Sequence, residues 1–181
     1  MKNYHLFPIA SFPWPDSGYH PEAAGGLYVD EEGLHLMLRA RQDEPRCRVN
    51  DYGGALCTDD CLEFFLMPRP DTPLYLNFEV NALGVYHLGL GTGRHGRAVF
   101  SEPAQDVTVE PFRRDGCWGV EAVFSPAFFE RWFGSWPLGA MRGNFYKCGD
   151  ATAHPHWGMW TPYSLPQPDF HRPELFPPLP L

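Results

Sequence analysis

Residues 74–81, LYLNFEVN, carry the alternation that decides the fold of this chain. Every second residue is apolar, and those between are mainly polar: Leu74, Leu76, Phe78 and Val80 alternate with Tyr75, Asn77, Glu79 and Asn81. Successive side chains of a β-strand point to opposite faces of its sheet. The stretch therefore predicts a strand with one face toward the core and one polar face.

Other stretches read as strands by the same reasoning. They are 33–41 (GLHLMLRAR), 61–67 (CLEFFLM), 85–90, 106–112, 117–124 and 141–148. Gly and Pro make up 38 of 181 residues, 18 and 20 respectively, against an average usage of about 12%. This punctuation favours turns between short strands over long helices. We expect a single all-β domain over residues 1–181, an antiparallel β-sandwich whose proline-rich C-terminal segment wraps the outside.

A single short helix is predicted at residues 126–133. Ser125 is a favoured N-cap residue, Pro126 suits the first helical position, and Gly134 follows the last apolar residue. Residues 91–96 (GTGRHG) match the letters of a dinucleotide-binding fingerprint, but Pro103 leaves no room for the helix that this motif requires. We interpret them as a glycine-rich turn.

Charge and targeting signals narrow the partners and the compartment. The formal net charge is −8, which disfavours nucleic acid and anionic membrane surfaces as partners. The N-terminal residues contain no apolar run of signal-peptide length, and nothing later is long enough to span a bilayer. The five cysteines form no C-x-x-C pair, as expected of free thiols in a reducing compartment. We predict a cytoplasmic protein.

Two side-chain groups leave enzymatic alternatives open. Glu63 and Glu79 could be the paired carboxylates of a glycoside-processing enzyme. A second group, His154, His156 and His171, offers nitrogen ligands for a transition metal. Each group also has a non-catalytic interpretation, as polar contacts of a ligand or as hydrogen-bonded loop residues.

Five ordered blocks of the sequence resemble the stand-alone relatives of carbohydrate-binding module family 9. They are 59–66 (DDCLEFFL), 76–84 (LNFEVNALG), 142–150 (RGNFYKCGD), 156–162 (HWGMWTP) and 168–174 (PDFHRPE). The resemblance covers nearly the whole chain. It implies a β-sandwich, a lectin-like slot in which tryptophans hold a terminal sugar, and a role in carbohydrate catabolism. It also implies that calcium is a candidate structural ion, although stability by itself requires no cofactor in a chain of this size.

Site residues follow from the resemblance position by position. The Glu of the D-x-x-x-E strand is Glu63, and the tryptophan platform is Trp160. The aromatic expected six residues before that Glu is Cys57 here, so Tyr52, Trp157 or Trp14 would have to replace it. Polar residues of the resembling blocks complete the predicted carbohydrate-binding set: Glu63, Asn77, Glu79, Asn81, Asn144, Tyr146, Trp157 and Trp160.

The sequence thus predicts a non-catalytic binding module for a mono- or oligosaccharide. An enzyme on the same fold is one alternative. A protein-interaction module whose sugar slot has decayed is the other, and the substitution at Cys57 is the feature that favours it. The sugar, its linkage and the oligomeric state are left open.

Overall fold

The computed structural model describes residues 3–136 and 138–181. Within them the strands are β1 (His5–Ile9), β2 (Ala23–Asp30), β3 (Gly33–Arg41), β4 (Cys61–Met67), β5 (Tyr75–Asn81), β6 (Tyr86–Gly91), β7 (Ala98–Val99), β8 (Val107–Arg114), β9 (Cys117–Phe124), β10 (Arg142–Cys148) and β11 (Trp157–Met159). The α-helix α1 spans Pro126–Phe133, and 3₁₀ turns span Leu56–Thr58 and Pro173–Leu175.

The strands form two antiparallel sheets. The five-stranded sheet has the order β1-β2-β3-β9-β8, and the six-stranded sheet has the order β11-β10-β4-β5-β6-β7. The main core lies between them, where Leu36 and Leu38 of β3 belong to the same buried cluster as Phe64 of β4 and Phe78 of β5. The predicted all-β sandwich is therefore confirmed.

Most of the predicted elements have the expected bounds. β3, β4 and β9 coincide with 33–41, 61–67 and 117–124, and the helix begins and ends where its capping residues predicted. Ser125 Oγ accepts a hydrogen bond from the Phe128 backbone N–H, and Gly134 ends the helix with a φ of 66°. Residues 92–97 connect β6 to β7, so the segment 91–96 lies at this connection, as the interpretation of a glycine-rich turn expected.

The sequence did not predict β1, β2, β7 and β11, and for β2 the reason lies in its glycines. β2 has the sequence AAGGLYVD, and glycine is depleted in strands because it packs no side chain. Here the aromatic ring of Phe145 occupies that space, since a Cβ on Gly25 would lie 2.0 Å from it. The glycine is a packing requirement between the two sheets.

The outer face of the six-stranded sheet is covered by chain segments from both ends of the sequence. Trp14, Phe170 and Phe176 pack there with Phe65 and Tyr75 in a second buried cluster. Both faces of β4 are consequently buried, and the polar face predicted for β5 is enclosed rather than open to water. No helix in the described part of the chain is long and apolar enough to cross a membrane.

Candidate functional site

A pocket of about 340 Å³ opens on the outer face of the six-stranded sheet. Its floor comes from β4, β5, β6 and β10, and its rim from residues 53–57, β11 and residues 168–171. The side chains on which its chemistry depends are Cys57, Glu63, Glu79, His87, Arg94, Arg97, Cys148, Asp150, Trp157, Asp169 and His171. The segments that cover the outer face of the sheet leave this pocket uncovered, and polar side chains line it.

Strand register aligns the polar floor in one row. Glu63 of β4 is the direct cross-strand neighbour of Glu79 on β5, and Glu79 is the neighbour of His87 on β6. Side chains directly opposite in an antiparallel pair are about 5 Å apart at their Cβ atoms and lie on the same face. The alternation that predicted β5 therefore also brings these three groups together.

Glu63 lies in the least solvated part of the floor, with 3% of its surface exposed. Loss of solvation, reinforced by the neighbouring Glu79 carboxylate, raises its pKa well above the usual value. Cys148 Sγ, 3.0 Å from Glu63 Oε1, donates a hydrogen bond to it. Burial of a carboxyl beside a second carboxyl favours its protonated form.

Arg97 is linked to Glu79 by two hydrogen bonds that run through Asn77. Its Nη1 donates to Asn77 Oδ1 at 2.8 Å, and Asn77 Nδ2 donates to Glu79 Oε1 at 3.0 Å. The same Nη1 lies 2.6 and 2.8 Å from the ring nitrogens of His171. Burial and the adjacent Arg97 lower the pKa of His171 to about 2, so its ring is neutral.

Two nitrogens in the pocket lining have no protein partner. Among the described residues, His87 Nε2 and Arg97 Nε are buried and make no hydrogen bond. Buried polar groups in native proteins are nearly always paired with protein, water or ligand. These two nitrogens are unpaired but enclosed, so a ligand would reach them only after neighbouring side chains move.

Trp157 is the tryptophan of the pocket. It is half-buried on β11, and its indole Nε1 donates to Asp150 Oδ1 at 2.7 Å. The Asp150 backbone N–H in turn donates to the Cys57 carbonyl at 2.9 Å. Cys57, where the resemblance implied an aromatic, and Trp157 thus line one pocket. Tyr52 and Trp14, the other candidate replacements, do not line it.

Trp160 has a different environment from Trp157. Its ring packs edge-on against Phe7, with 4.8 Å between centroids, and against Phe145, with 6.3 Å. It lies against the main core between the sheets and does not line the pocket. Of the predicted set, the structure brings Glu63, Glu79 and Trp157 into the pocket, with Asn77 directly behind Glu79 and Arg97.

Two further predicted residues, Asn81 and Asn144, make contacts within the fold. Asn81 Nδ2 donates to the Val49 carbonyl and to Asp59. Asn144 donates to the Thr161 carbonyl and accepts from the Thr161 N–H. Their part in sugar binding stays a prediction, and the contacts seen are those of residues that fasten loops to strands.

Tyr146 contributes to the second buried cluster. Its ring stacks on Phe170 with 4.1 Å between centroids. Its hydroxyl lies 3.3 Å from that of Tyr163 and donates to the Phe170 carbonyl. Through Phe170, which lines the pocket, Tyr146 supports the 168–171 rim.

Sequence reasoning missed Arg94 and Arg97 as pocket residues. Both lie on the turn that joins β6 to β7, beside the strand that carries His87. Arg94 forms an ion pair with Asp169 across the rim, with 2.9 Å between Nη2 and Oδ1. The sequence carried a signal for these two arginines, because the glycine-rich turn directly follows β6, the strand that pairs with β5.

The three histidines considered for a metal do not converge. His154 is exposed, and His156 is buried with its Nε2 2.8 Å from Lys147 Nζ. His171 belongs to the pocket wall. In residues 3–136 and 138–181, the groups with closely spaced ligand atoms are Cys61, Glu63 and Cys148, and Asp30, Glu32 and His35. Neither supplies the six to eight oxygens that calcium prefers.

A buried ion pair secures the loop before Trp157. Lys147 Nζ, fully buried, donates to Asp60 Oδ1 at 2.8 Å and to the Cys148 carbonyl at 2.9 Å. Burial, followed by the nearby Lys147 charge, lowers the pKa of His156 to about 4. The neutral imidazole can therefore accept the third Lys147 hydrogen bond, which ties the loop that ends at β11 to β10.

Comparison with known proteins places these features in context. The family model described as "Carbohydrate-binding family 9" matches residues 1–181. A structure from Bacteroides uniformis ATCC 8492, described as a "putative carbohydrate-binding protein", is similar with a TM-score of 0.82 and 28% identity, over 97% of this chain and 85% of that one. A search of the curated proteins found no match.

Two structures of family 9 modules from Caldicellulosiruptor kristjanssonii share the fold. The complex with cellotriose has a TM-score of 0.57 and 12% identity, over 87% of this chain and 72% of that one. The complex with glucose has a TM-score of 0.58 and 14% identity, over 94% of this chain and 82% of that one. At these identities the likeness concerns the fold alone.

Proposed function

The chain belongs to carbohydrate-binding family 9, and we propose that it binds the end of a mono- or oligosaccharide in the pocket beside Trp157. Membership in the family supports carbohydrate binding in general. The proposal concerns this site, its platform and its polar partners.

One observation carries the proposal: a half-buried tryptophan and several hydrogen-bonding side chains line one pocket. Sugars present apolar C–H faces, which stack on aromatic rings, and hydroxyl edges, which need donors and acceptors. Trp157 supplies the ring. Glu79 and Asp150 supply acceptors, and Arg94 at the rim supplies donors.

The shape and charge of the pocket favour a small neutral ligand. Ligand pockets generally have volumes of about 300 to 1,000 Å³, and this one lies near the lower limit at about 340 Å³. Arginines and carboxylates both line it, so the hydroxyl groups of a neutral ligand would find donors as well as acceptors. Planar carboxylate and guanidinium groups are suited to bridging adjacent hydroxyls. One or two sugar rings fit this description better than a long polymer.

Isothermal titration calorimetry tests the proposal. The purified chain is titrated with glucose, xylose, cellobiose and xylobiose, with and without calcium. We expect saturable binding that is lost in Trp157→Ala and retained in Trp160→Ala. Absence of binding across the panel would contradict the proposal. Calcium dependence of the affinity would support a calcium site elsewhere in the chain.

Glycoside hydrolysis is a second candidate, favoured by the different environments of Glu63 and Glu79. A carboxyl with a raised pKa beside a second carboxyl is the pattern of a general acid and its partner. Incubation with aryl glycosides and cellobiose would release product if the pair is catalytic. That release should disappear in Glu63→Gln. Binding without product would leave the binding module as the sole function of the pocket.

A further inference from the structure

Three side chains at the pocket floor form a compact cluster of metal-binding type. Cys61 and Glu63 lie two residues apart on β4 and therefore on one face of the sheet. Cys148 of β10 is the direct cross-strand neighbour of Cys61. The two sulfur atoms and a carboxylate oxygen all lie within 4.8 Å of one another.

We propose that Cys61, Glu63 and Cys148 bind a zinc ion at the floor of the pocket. This proposal is separate from sugar binding and rests on the geometry and chemistry of the cluster. Two thiolates and a carboxylate are ligands of a transition metal, and zinc accepts this set in tetrahedral sites. Calcium and magnesium prefer oxygen alone.

The spacing of the three atoms suits zinc. With Zn–S distances of about 2.3 Å and Zn–O of about 2.0 to 2.2 Å, neighbouring ligands in a tetrahedron lie about 3.5 to 3.8 Å apart. The three ligand atoms lie within 4.8 Å of one another, and the 3.0 Å between Cys148 Sγ and Glu63 Oε1 is slightly shorter than the tetrahedral spacing. Small side-chain rotations would bring all three atoms to bonding distance.

The cluster borders the pocket on one side. Glu63 and Cys148 both line the pocket, whereas Cys61 is fully buried and does not line it. Three protein ligands plus an open position is the arrangement of reactive zinc sites, and a closed set of four is that of structural ones. A zinc ion held here would present its open position to the pocket.

The surrounding charges favour a cation on balance. Glu79 is the cross-strand neighbour of Glu63, and the Asp150 carboxylate also acts on Glu63 and Cys148. Two cations oppose them. Arg97 keeps its charge, because the Asn77 amide that accepts its hydrogen bond is neutral, whereas Lys147, on the opposite face of β10, is paired with Asp60. Zinc would displace protons from the two thiols and from Glu63, so binding should release protons to buffer.

The test measures metal directly and needs no sugar. The full chain is purified with a phosphine reductant, stripped with a chelator, dialysed against zinc and analysed by inductively coupled plasma mass spectrometry. We expect one zinc per chain in the wild type and at least a tenfold loss of affinity in Cys61→Ser and Cys148→Ser. Cys117→Ser is the matched control, because this half-buried cysteine lies outside the cluster, and it should keep full binding.

A second measurement uses the unaltered chain, so that misfolding of a variant cannot decide the result. Cobalt added to the stripped protein should give thiolate-to-cobalt charge-transfer absorption in the near ultraviolet, which zinc then abolishes. Absence of this absorption in reduced wild-type protein would overturn the proposal. Equal zinc binding in Cys148→Ser and Cys117→Ser would overturn it as well. Sugar titration of the stripped protein reports on the proposed function independently.

Discussion

Replacement of Trp157 by alanine is the sharpest test of the site. The indole is half-buried, and its Nε1 is fixed by Asp150 at 2.7 Å. An aromatic side chain can bury about 150 to 250 Å², and up to about a third of that, roughly 50 to 85 Å², is available to a ligand on the partly buried Trp157. At about 25 cal/mol per Å² this area contributes about 1.3 to 2.1 kcal/mol, within the range of a central aromatic anchor.

We therefore expect Trp157→Ala to weaken binding of glucose or cellobiose by about 10- to 30-fold. Trp157→Phe should keep an aromatic face but lose the hydrogen bond to Asp150, so its affinity should fall between those of the wild type and of Trp157→Ala. Calorimetric titration measures each affinity, and thermal unfolding of the same samples measures stability.

Trp160→Ala is the matched control for this experiment. Trp160 packs against Phe7 and Phe145, so its loss should lower the free energy of unfolding by about 2 to 4 kcal/mol and leave the affinity unchanged. The opposite result, affinity lost in Trp160→Ala and kept in Trp157→Ala, would refute the reasoning. It would favour the platform that the family resemblance implied.

Three further predictions concern the buried polar groups. Glu63→Gln in metal-free protein should raise the free energy of unfolding at pH 7 by about 1 to 3 kcal/mol. Because the pKa of Glu63 is raised in the folded protein, the wild type loses stability as pH rises above the pKa of this residue in the unfolded chain. The stability gained by Glu63→Gln should therefore disappear near pH 4, as measured by denaturant titration. The pKa of His156 is lowered to about 4 in the folded protein, so the free energy of unfolding should fall by up to about 3 kcal/mol as pH falls from 6.5 to 4. His156→Gln should flatten that part of the stability profile. An unchanged slope would contradict the assignment. Lys147→Met should cost about 3 to 5 kcal/mol, because it leaves the Asp60 carboxylate buried without its cation, and chemical denaturation would show whether the loss is smaller.

The architecture was predictable where local pattern and burial agree. The alternation of 74–81 and the apolar run of 61–67 predicted β5 and β4, because a strand between core and cover must alternate or be apolar throughout. Ser125 and Gly134 predicted both ends of α1 for local reasons of capping. β2 was not predictable locally, because Gly25 is required by Phe145, 120 positions away in the sequence.

The candidate site divides in the same way. The sequence alone identified Glu63 and Glu79 as a candidate pair of carboxylates. The family resemblance pointed to tryptophans in residues 156–162. Only the tertiary structure shows that Trp157 lines the pocket and that Trp160 packs against the core, since three residues along an irregular segment can place one ring in a pocket and the other against the core.

The cluster at the pocket floor was likewise a matter of tertiary structure. Cys61 and Cys148 lie far apart in the sequence, and only the register of β4 with β10 makes them neighbours. Sequence by itself determined most of the strands, their core-facing sides and the helix, because these depend on periodicity and local capping. Which side chains meet was decided by strand order and by the segments folded over the outer face, because contacts between distant residues leave no periodic trace in the sequence.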